Sequence, residues 1–326
     1  MNVRDNTYEL YAVLSGGTRT ELTGAIIGLE WGEQEGELAQ RATIKLAQTN
    51  TSLGLLSEIL PLCTRLQIKG NGKNVLDGLV WEWEYTSSNT RCFEIVAYDN
   101  MIYMQKSKSN SYFKDNTSTQ TIISSICSEQ GIPLKYNWGN HKHKKTVYRG
   151  QTIANQIIST LEDAKYKIDK KYVIKFVDGS LCIEEPGQNK TVYLFEGVNT
   201  IGTQHKQTLD GLVTKVLITG KESSSGKTPI KATVNGKTEF GTIQEIVSAS
   251  SQTVSEAKAE AQILLKERGW PENTIRLEAP DVPTMRKGDK IKVVAGSLNG
   301  YYYVKGITHN ATSMTMNLNL GVFRNG

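Results

Sequence analysis

Residues 220–228 read G-K-E-S-S-S-G-K-T, close to the glycine-rich loop that cradles phosphate ahead of a helix N-terminus. Five residues separate its glycines where that loop needs four. Pro229 stands where a helix must start presenting its amides. The stretch therefore reads as a hairpin loop. His141-Lys142-His143 has the spacing of two metal ligands, but zinc asks for three or four, and no Cys, Asp or third His is close in sequence. Lys142, Lys144 and Lys145 would also repel a cation. A solvated basic loop is expected there.

Nucleophilic chemistry needs an activated thiol or hydroxyl. Cys127 falls on the apolar face of a predicted helix, and Cys63, Cys92 and Cys182 sit among strand-like apolar residues. All four read as reduced core thiols. The chain holds no G-x-S-x-G or H-E-x-x-H motif. The carboxylate pairs Glu82/Glu84 and Glu184/Glu185 lie on strands or strand ends, where a solvated face accounts for them. No catalytic, cofactor or metal residue is assigned.

The elements that position these residues are mostly strands. Tyr8–Leu14, Ala42–Leu46, Leu66–Lys69, Val75–Tyr85, Cys92–Val96, Lys290–Val294, Tyr301–Ile307 and Met314–Leu320 alternate apolar and polar residues between turn signals, the pattern of half-buried antiparallel strands. Polar turns are expected at Thr86–Thr90 and from His309 to Ser313. Between the β runs, Thr119–Gln130 and Thr152–Ala164 place isoleucines on one helical face. Two strands, Tyr172–Phe176 and Leu181–Glu184, then flank the hairpin signal Asp178-Gly179. A last helix, Val254–Arg268, opens with the capping box Thr253-x-x-Glu256 and stops at Gly269.

Length allows two or three domains. Residues 1–100 carry 8 Lys/Arg against 13 Asp/Glu, and residues 101–175 carry 13 against 5, so separate domains with different surroundings are expected. Interleaved stacking aromatics are too few in the basic block for nucleic-acid binding, and an acidic protein partner suits it better. No membrane span is read in the sequence. The start, Met1-Asn2-Val3-Arg4-Asp5, has no apolar signal core.

One order of features occurs twice. Pro61, a strand, the turn Gly70-Asn71-Gly72, a strand through Gly78 and a final strand near one end match Pro283, Lys290–Val294, the turn at Gly296–Gly300, Tyr301–Ile307 through Gly306 and Met314–Leu320 near the other. This predicts a duplicated β unit.

The Pro61–Asp99 unit, the two-helix-then-hairpin unit from Phe113 to Glu184, and the run from Lys287-Gly288-Asp289 through Tyr301-Tyr302-Tyr303-Val304 to Leu318 resemble the baseplate hub proteins of contractile phage tails. The likeness is to the late control protein D group, of the XkdQ type. It implies a mainly β fold with an α+β insert: a β-barrel domain over 1–100, an α+β domain over 101–188, and a second barrel over 189–326. It further implies a homotrimer of six barrels joining the tail tube to a central spike, with the tape measure and other baseplate proteins as neighbours and DNA touched only in passage through the lumen. The implied location is a phage or bacteriocin particle assembled in the bacterial host cytoplasm. A tail-tip cell-wall hydrolase and a receptor- or carbohydrate-contacting module of a non-contractile phage are the alternatives. Interface residues are expected at Trp81, Glu82, Trp83, Glu84, Tyr301, Tyr303, Asn317 and Asn319, with Trp81, Trp83 and Tyr85 on one face and the two glutamates on the other.

Overall fold

The computed structural model describes residues 5–14, 17–51, 54–85, 92–250 and 253–323. The polar turn expected at 86–90 lies outside them. Alternating apolar residues give β1 (Tyr8–Val13), β2 (Arg19–Glu21), β3 (Ile26–Glu33) and β4 (Arg41–Ala47). The short β5 (Asn50–Thr51) and β6 (Gly54–Leu55) lead into one helical turn, α1 (Leu56–Ile59). β7 (Arg65–Gly70), β8 (Lys73–Glu84) and β9 (Cys92–Tyr98) follow. Leu10, Leu29, Ile44, Leu66, Ile68 and Ile95 alternate inward to bury themselves around Trp31 and Phe93. Each such side chain contributes about 1.5–3 kcal/mol.

The middle of the chain is α+β. It comprises α2 (Met101–Lys106), β10 (Lys108–Phe113), β11 (Thr117–Ser118), α3 (Thr119–Glu129), β12 (Leu134–Asn137), β13 (Lys142–His143), β14 (Thr146–Thr152), α4 (Ile153–Ile168), β15 (Val173–Val177) and β16 (Ser180–Glu184). Side-chain oxygens of Ser118 and Thr152 cap α3 and α4. Ile122, Ile123, Ile126 and Cys127 pack with Ile153, Ile157 and Leu161 in one core. Asp178 and Gly179 both take positive φ between β15 and β16, as the two-residue hairpin signal requires.

β17 (Tyr193–Glu196) and β18 (Gly202–Thr208) come next, then β19 (Lys215–Thr219), β20 (Ile230–Asn235), β21 (Gln244–Ser248) and α5 (Val254–Arg268). β22 (Glu272–Pro280), β23 (Lys290–Ala295), β24 (Leu298–Asn310) and β25 (Thr315–Val322) close the chain. β24 runs on through His309, so the turn expected from that residue starts after Asn310.

Two compact units result: residues 1–203 with 276–326, and residues 204–275. In the smaller one, β19 pairs antiparallel with β20 and parallel with β21. α5 covers one face through Ala257, Ala261, Leu264 and Leu265, packed with Val216, Ile218 and Val247. Its capping box is formed.

The large sheet has the order β18-β22-β25-β24-β3-β4-β9-β8-β7-β1-β2, and β23 pairs with both β24 and β17. From β3 outward the strands are β3-β4-β9-β8-β7-β1. From β18 they are β18-β22-β25-β24-β23-β17. One strand order is thus used twice. The long strand is bulged in both copies, with Trp81 the extra residue of β8 against β9 and Lys305 that of β24 against β25. One pairing differs, since β1 lies antiparallel to β7 and β17 parallel to β23. Aligning the bulges sets Glu82 with Gly306 and Tyr302 with Gly78. The expected Gly78–Gly306 correspondence is therefore corrected by four residues, because the frame is set by pairing across the sheet, which the spacing of glycines does not reveal.

Candidate functional site

The two copies of the strand order meet where β24 pairs with β3. Ile307, Thr308, His309 and Asn310 lie opposite Glu33, Gly32, Trp31 and Glu30. A Cβ on Gly32 would stand 2.1 Å from the Ile307 carbonyl oxygen, so only glycine permits this approach. On the core side, His309 stacks on Trp31 and is nearly inaccessible to solvent. Its Nδ1 lies 2.6 Å from Asp281 Oδ1, and its Nε2 donates to the Met285 carbonyl at 3.1 Å. Tyr8 of β1 donates to Asp281 Oδ2 at 2.7 Å. The pairing thus gathers both β runs around one buried polar group.

At the end of β3, buried Glu33 pairs with Arg286, whose guanidinium also donates to the Phe176 carbonyl at 3.1 Å. Burial opposes the Glu33 charge, but Arg286 holds its carboxyl below the usual carboxylate range. Lys287 donates to the Gln34 and Glu37 carbonyls at 3.0 and 2.7 Å. Asp99 accepts from the backbone N–H groups of Gln40 and Met101. Burial nevertheless pushes its carboxyl up to about 7. These contacts tie the β joint to the α+β segment.

Pairing registers decide which face each expected interface residue occupies. Thr315, Asn310, Glu30, Thr43, Val96 and Glu82 form one row across five neighbouring strands and β8, on the face away from the core. Asn317 and Asn319 lie on that face too, opposite Thr308 and Gly306. Met316, Leu318 and Leu320 point inward, as the alternation of β25 requires. The bulge separates the tryptophans: Trp83 lies opposite core residue Ile95, while Trp81 packs against Tyr98 and Tyr103. Trp81 therefore shares the face of Glu82, and the expected common face of Trp81 and Trp83 is corrected. Tyr301 is half exposed beneath the Lys290 ammonium. Tyr303 is buried against Phe323, so its ring is a packing residue within the chain.

A family profile described as YQBQ-like matches residues 29–321. The chain belongs to the YQBQ-like family. A comparison with curated proteins finds no match. Among solved structures, the chain is similar to the 43 kDa tail protein of prophage MuSo2 from Shewanella oneidensis. Identity is 13%, coverage 97% of this chain and 98% of that one, and the TM-score 0.72. A tail protein from Neisseria meningitidis MC58 aligns at 11% identity over 96% of each chain, with a TM-score of 0.70. The E. coli c3393 protein, a component of the type VI secretion system, aligns at 11% identity and a TM-score of 0.59, over 92% of this chain and 74% of that one. The YQBQ-like chain shares their fold.

The segments that suggested chemistry fold as follows in this YQBQ-like chain. Residues 220–228 turn between β19 and β20, with Gly220 N–H bonded to Pro229 O and Ser223 N–H to Lys227 O. His143 was expected in a solvated loop but is buried. It bridges Thr119 Oγ1 and Asp163 Oδ2, each at 2.8 Å. A histidine among lysines carries no sign of such a contact, since both partners come from helices distant in sequence. Thr119 is itself fully buried, while the Asp163 carboxylate at the other end is half exposed, so the contact holds α3 to α4 through a buried imidazole.

Among the described residues, no group of three His, Cys, Asp or Glu side chains converges on a metal position. Burial pushes the Cys127 thiol up to about 12 and raises that of Cys182, which starves both of thiolate. Cys92 is buried as expected, but Cys63 is exposed in a turn with φ of 65°. Glu184 and Glu185 pair with Lys175 and Lys170 at 2.7 and 2.5 Å. No described helix is long and apolar enough to cross a membrane.

Proposed function

We propose that this protein is the structural baseplate hub of a contractile tail, as its likeness to the late control protein D group and the XkdQ type implies. The supporting observation is one strand order used twice and joined by the β3–β24 pairing. Two like units per chain let three chains form a ring with six repeats, matching a sixfold tail tube on one side and a threefold spike on the other. The repeats are β-barrels over residues 1–100 and 189–326, with 101–188 as the α+β domain between them. Residues 204–275 form a further compact unit that begins within β18 and ends within β22. The shared fold with two prophage or bacterial tail proteins supports this reading.

The hub's partners are two further copies, the spike, the tail tube, the tape measure and other baseplate proteins. DNA touches it only in passage through the lumen. Its place is the phage or bacteriocin particle, assembled in the host cytoplasm. The outward face with Glu30, Glu82, Asn317 and Asn319 suits polar and charged contacts, which steer and register partners more than they tighten them. Sedimentation of the chain with and without the spike protein tests this. Three copies on the spike are expected, and a stable dimer in both conditions would overturn it.

A further inference from the structure

We propose that the outer face of the β10–β14 ribbon is a docking surface for an extended acidic segment of a partner protein. That segment lays an apolar side chain over Tyr112 and Val147 and sets carboxylates against the cations around them. Such docking needs no ring and no particular number of copies.

β10 and β14 pair antiparallel, with Tyr112 directly opposite Val147. Their neighbours along each strand point the other way. Ser109 and Ser111 hydrogen-bond to Gln156 of α4 at 2.9 and 2.7 Å, and the Tyr148 hydroxyl lies 2.7 Å from Thr160 Oγ1. Alternation therefore turns Tyr112 and Val147 away from the helix, and they are 65% and 44% exposed. Isolated exposed apolar side chains are ordinary on a protein surface. Here two stand together beside a shallow hollow of about 360 Å³, lined by Asn110–Tyr112 and Val147–Arg149. Gly150, with φ of 60°, forms a bulge opposite Asn110, whose Oδ1 accepts the Gly150 N–H at 2.7 Å. The backbone at that end of the hollow is thus fixed.

Four cations frame the apolar pair. Lys108 and, just past the strand, Lys114 keep the parity of Tyr112 along β10. Lys145 and Arg149 stand two residues either side of Val147. All four are exposed, and no ion pair holds any of them among the described residues. Asp115, next along the chain, is bonded to Asn116. Unpaired cations around an apolar centre select a partner of opposite charge with an apolar group of its own. Lysines on a ribbon edge also discourage unwanted strand pairing, but that role needs no exposed tyrosine between them. Nucleic acid wants a series of stacking rings, and Tyr112 is the single aromatic side chain of this face. The partner segment is extended because β10 has β14 on one side and, among the described residues, no strand on the other, which leaves room for one more.

Fluorescence anisotropy with the full-length chain tests the surface. The probe is a labelled peptide in which glutamates flank a central leucine, compared with one carrying serine in place of the leucine. The leucine peptide should bind about tenfold or more tightly, the effect of burying one such side chain. Tyr112→Ser should remove that advantage and leave the serine peptide unchanged. Lys114→Glu with Lys145→Glu should weaken both peptides. Lys221→Glu with Lys227→Glu, the same change of charge in the exposed β19–β20 loop, should weaken neither. Every substituted side chain is exposed, so unchanged melting temperatures verify that the variants fold. Equal binding of the two peptides, or equal loss from the two lysine pairs, would leave diffuse charge attraction and overturn the site. Absence of binding would overturn it as well. A thymidine oligonucleotide or polygalacturonate of matched charge that binds more tightly than the leucine peptide would assign the face to another class of partner and overturn the proposal. Leucine-dependent binding by a chain that never forms three copies on the spike would uphold this surface and overturn the ring.

Discussion

His309 lies flat on Trp31, with ring centroids 4.7 Å apart and planes inclined by 8°. The two rings belong to directly opposed residues of β24 and β3, one from each copy of the repeated strand order. Behind them Asp281 is wholly buried, bound to His309 Nδ1 and to the Tyr8 hydroxyl. The joint is therefore a stacked, hydrogen-bonded centre and more than a backbone ladder.

Replacing His309 by Ala should leave the Asp281 carboxylate buried without its ring partner. Breaking a buried pair in this way costs about 3–5 kcal/mol. Denaturant unfolding should show a loss in that range, and a loss below about 1 kcal/mol would contradict the role given to this pair.

Gly32→Ala should destabilise the joint by about 1–3 kcal/mol, the usual range for overpacking, because the new methyl would meet the Ile307 carbonyl. Gly24→Ala is the control, since a Cβ there meets nothing within 4 Å. Equal melting temperatures for the two variants would contradict the close approach of β3 and β24.

Burial lifts the Asp99 carboxyl to about 7, above its unfolded value near 4. The folded state thus holds this proton more tightly. The contribution is complete below about pH 4 and is lost as pH rises through 7. Between pH 6 and 8 the protein should lose about 1 kcal/mol through this group. Asp99→Asn should flatten that slope, whatever it does to absolute stability by accepting only one of two backbone bonds. An unchanged slope would place the titration elsewhere.

Peptidoglycan zymograms of the purified chain should show no lysis, given the buried His143 ring and the raised Cys127 thiol. Lysis abolished by His143→Ala or Cys127→Ser would establish the hydrolase reading instead.

The strands and helices were legible in the sequence where a single period governs burial. Met316, Leu318 and Leu320 alternate inward as read, and Thr253 and Glu256 cap α5 as read. What the sequence hides is set by pairing across long separations. The extra residue at Trp81 reverses the faces of everything after it, and the alternation of aromatics and glutamates gives no sign of it. His309 and His143 looked like loop residues because their partners, Asp281 with Trp31 and Thr119 with Asp163, meet them only in the folded chain. The separate packing of residues 204–275 was likewise not foreseen, since its strands alternate like those around it.

Electron cryomicroscopy of the chain bound to its spike measures the central claim most directly. The account predicts a closed ring of three copies in which six like β units surround the axis, each copy joined internally by β3 and β24. A ring with any other number of copies, or two β units per chain with unrelated strand paths, would contradict it.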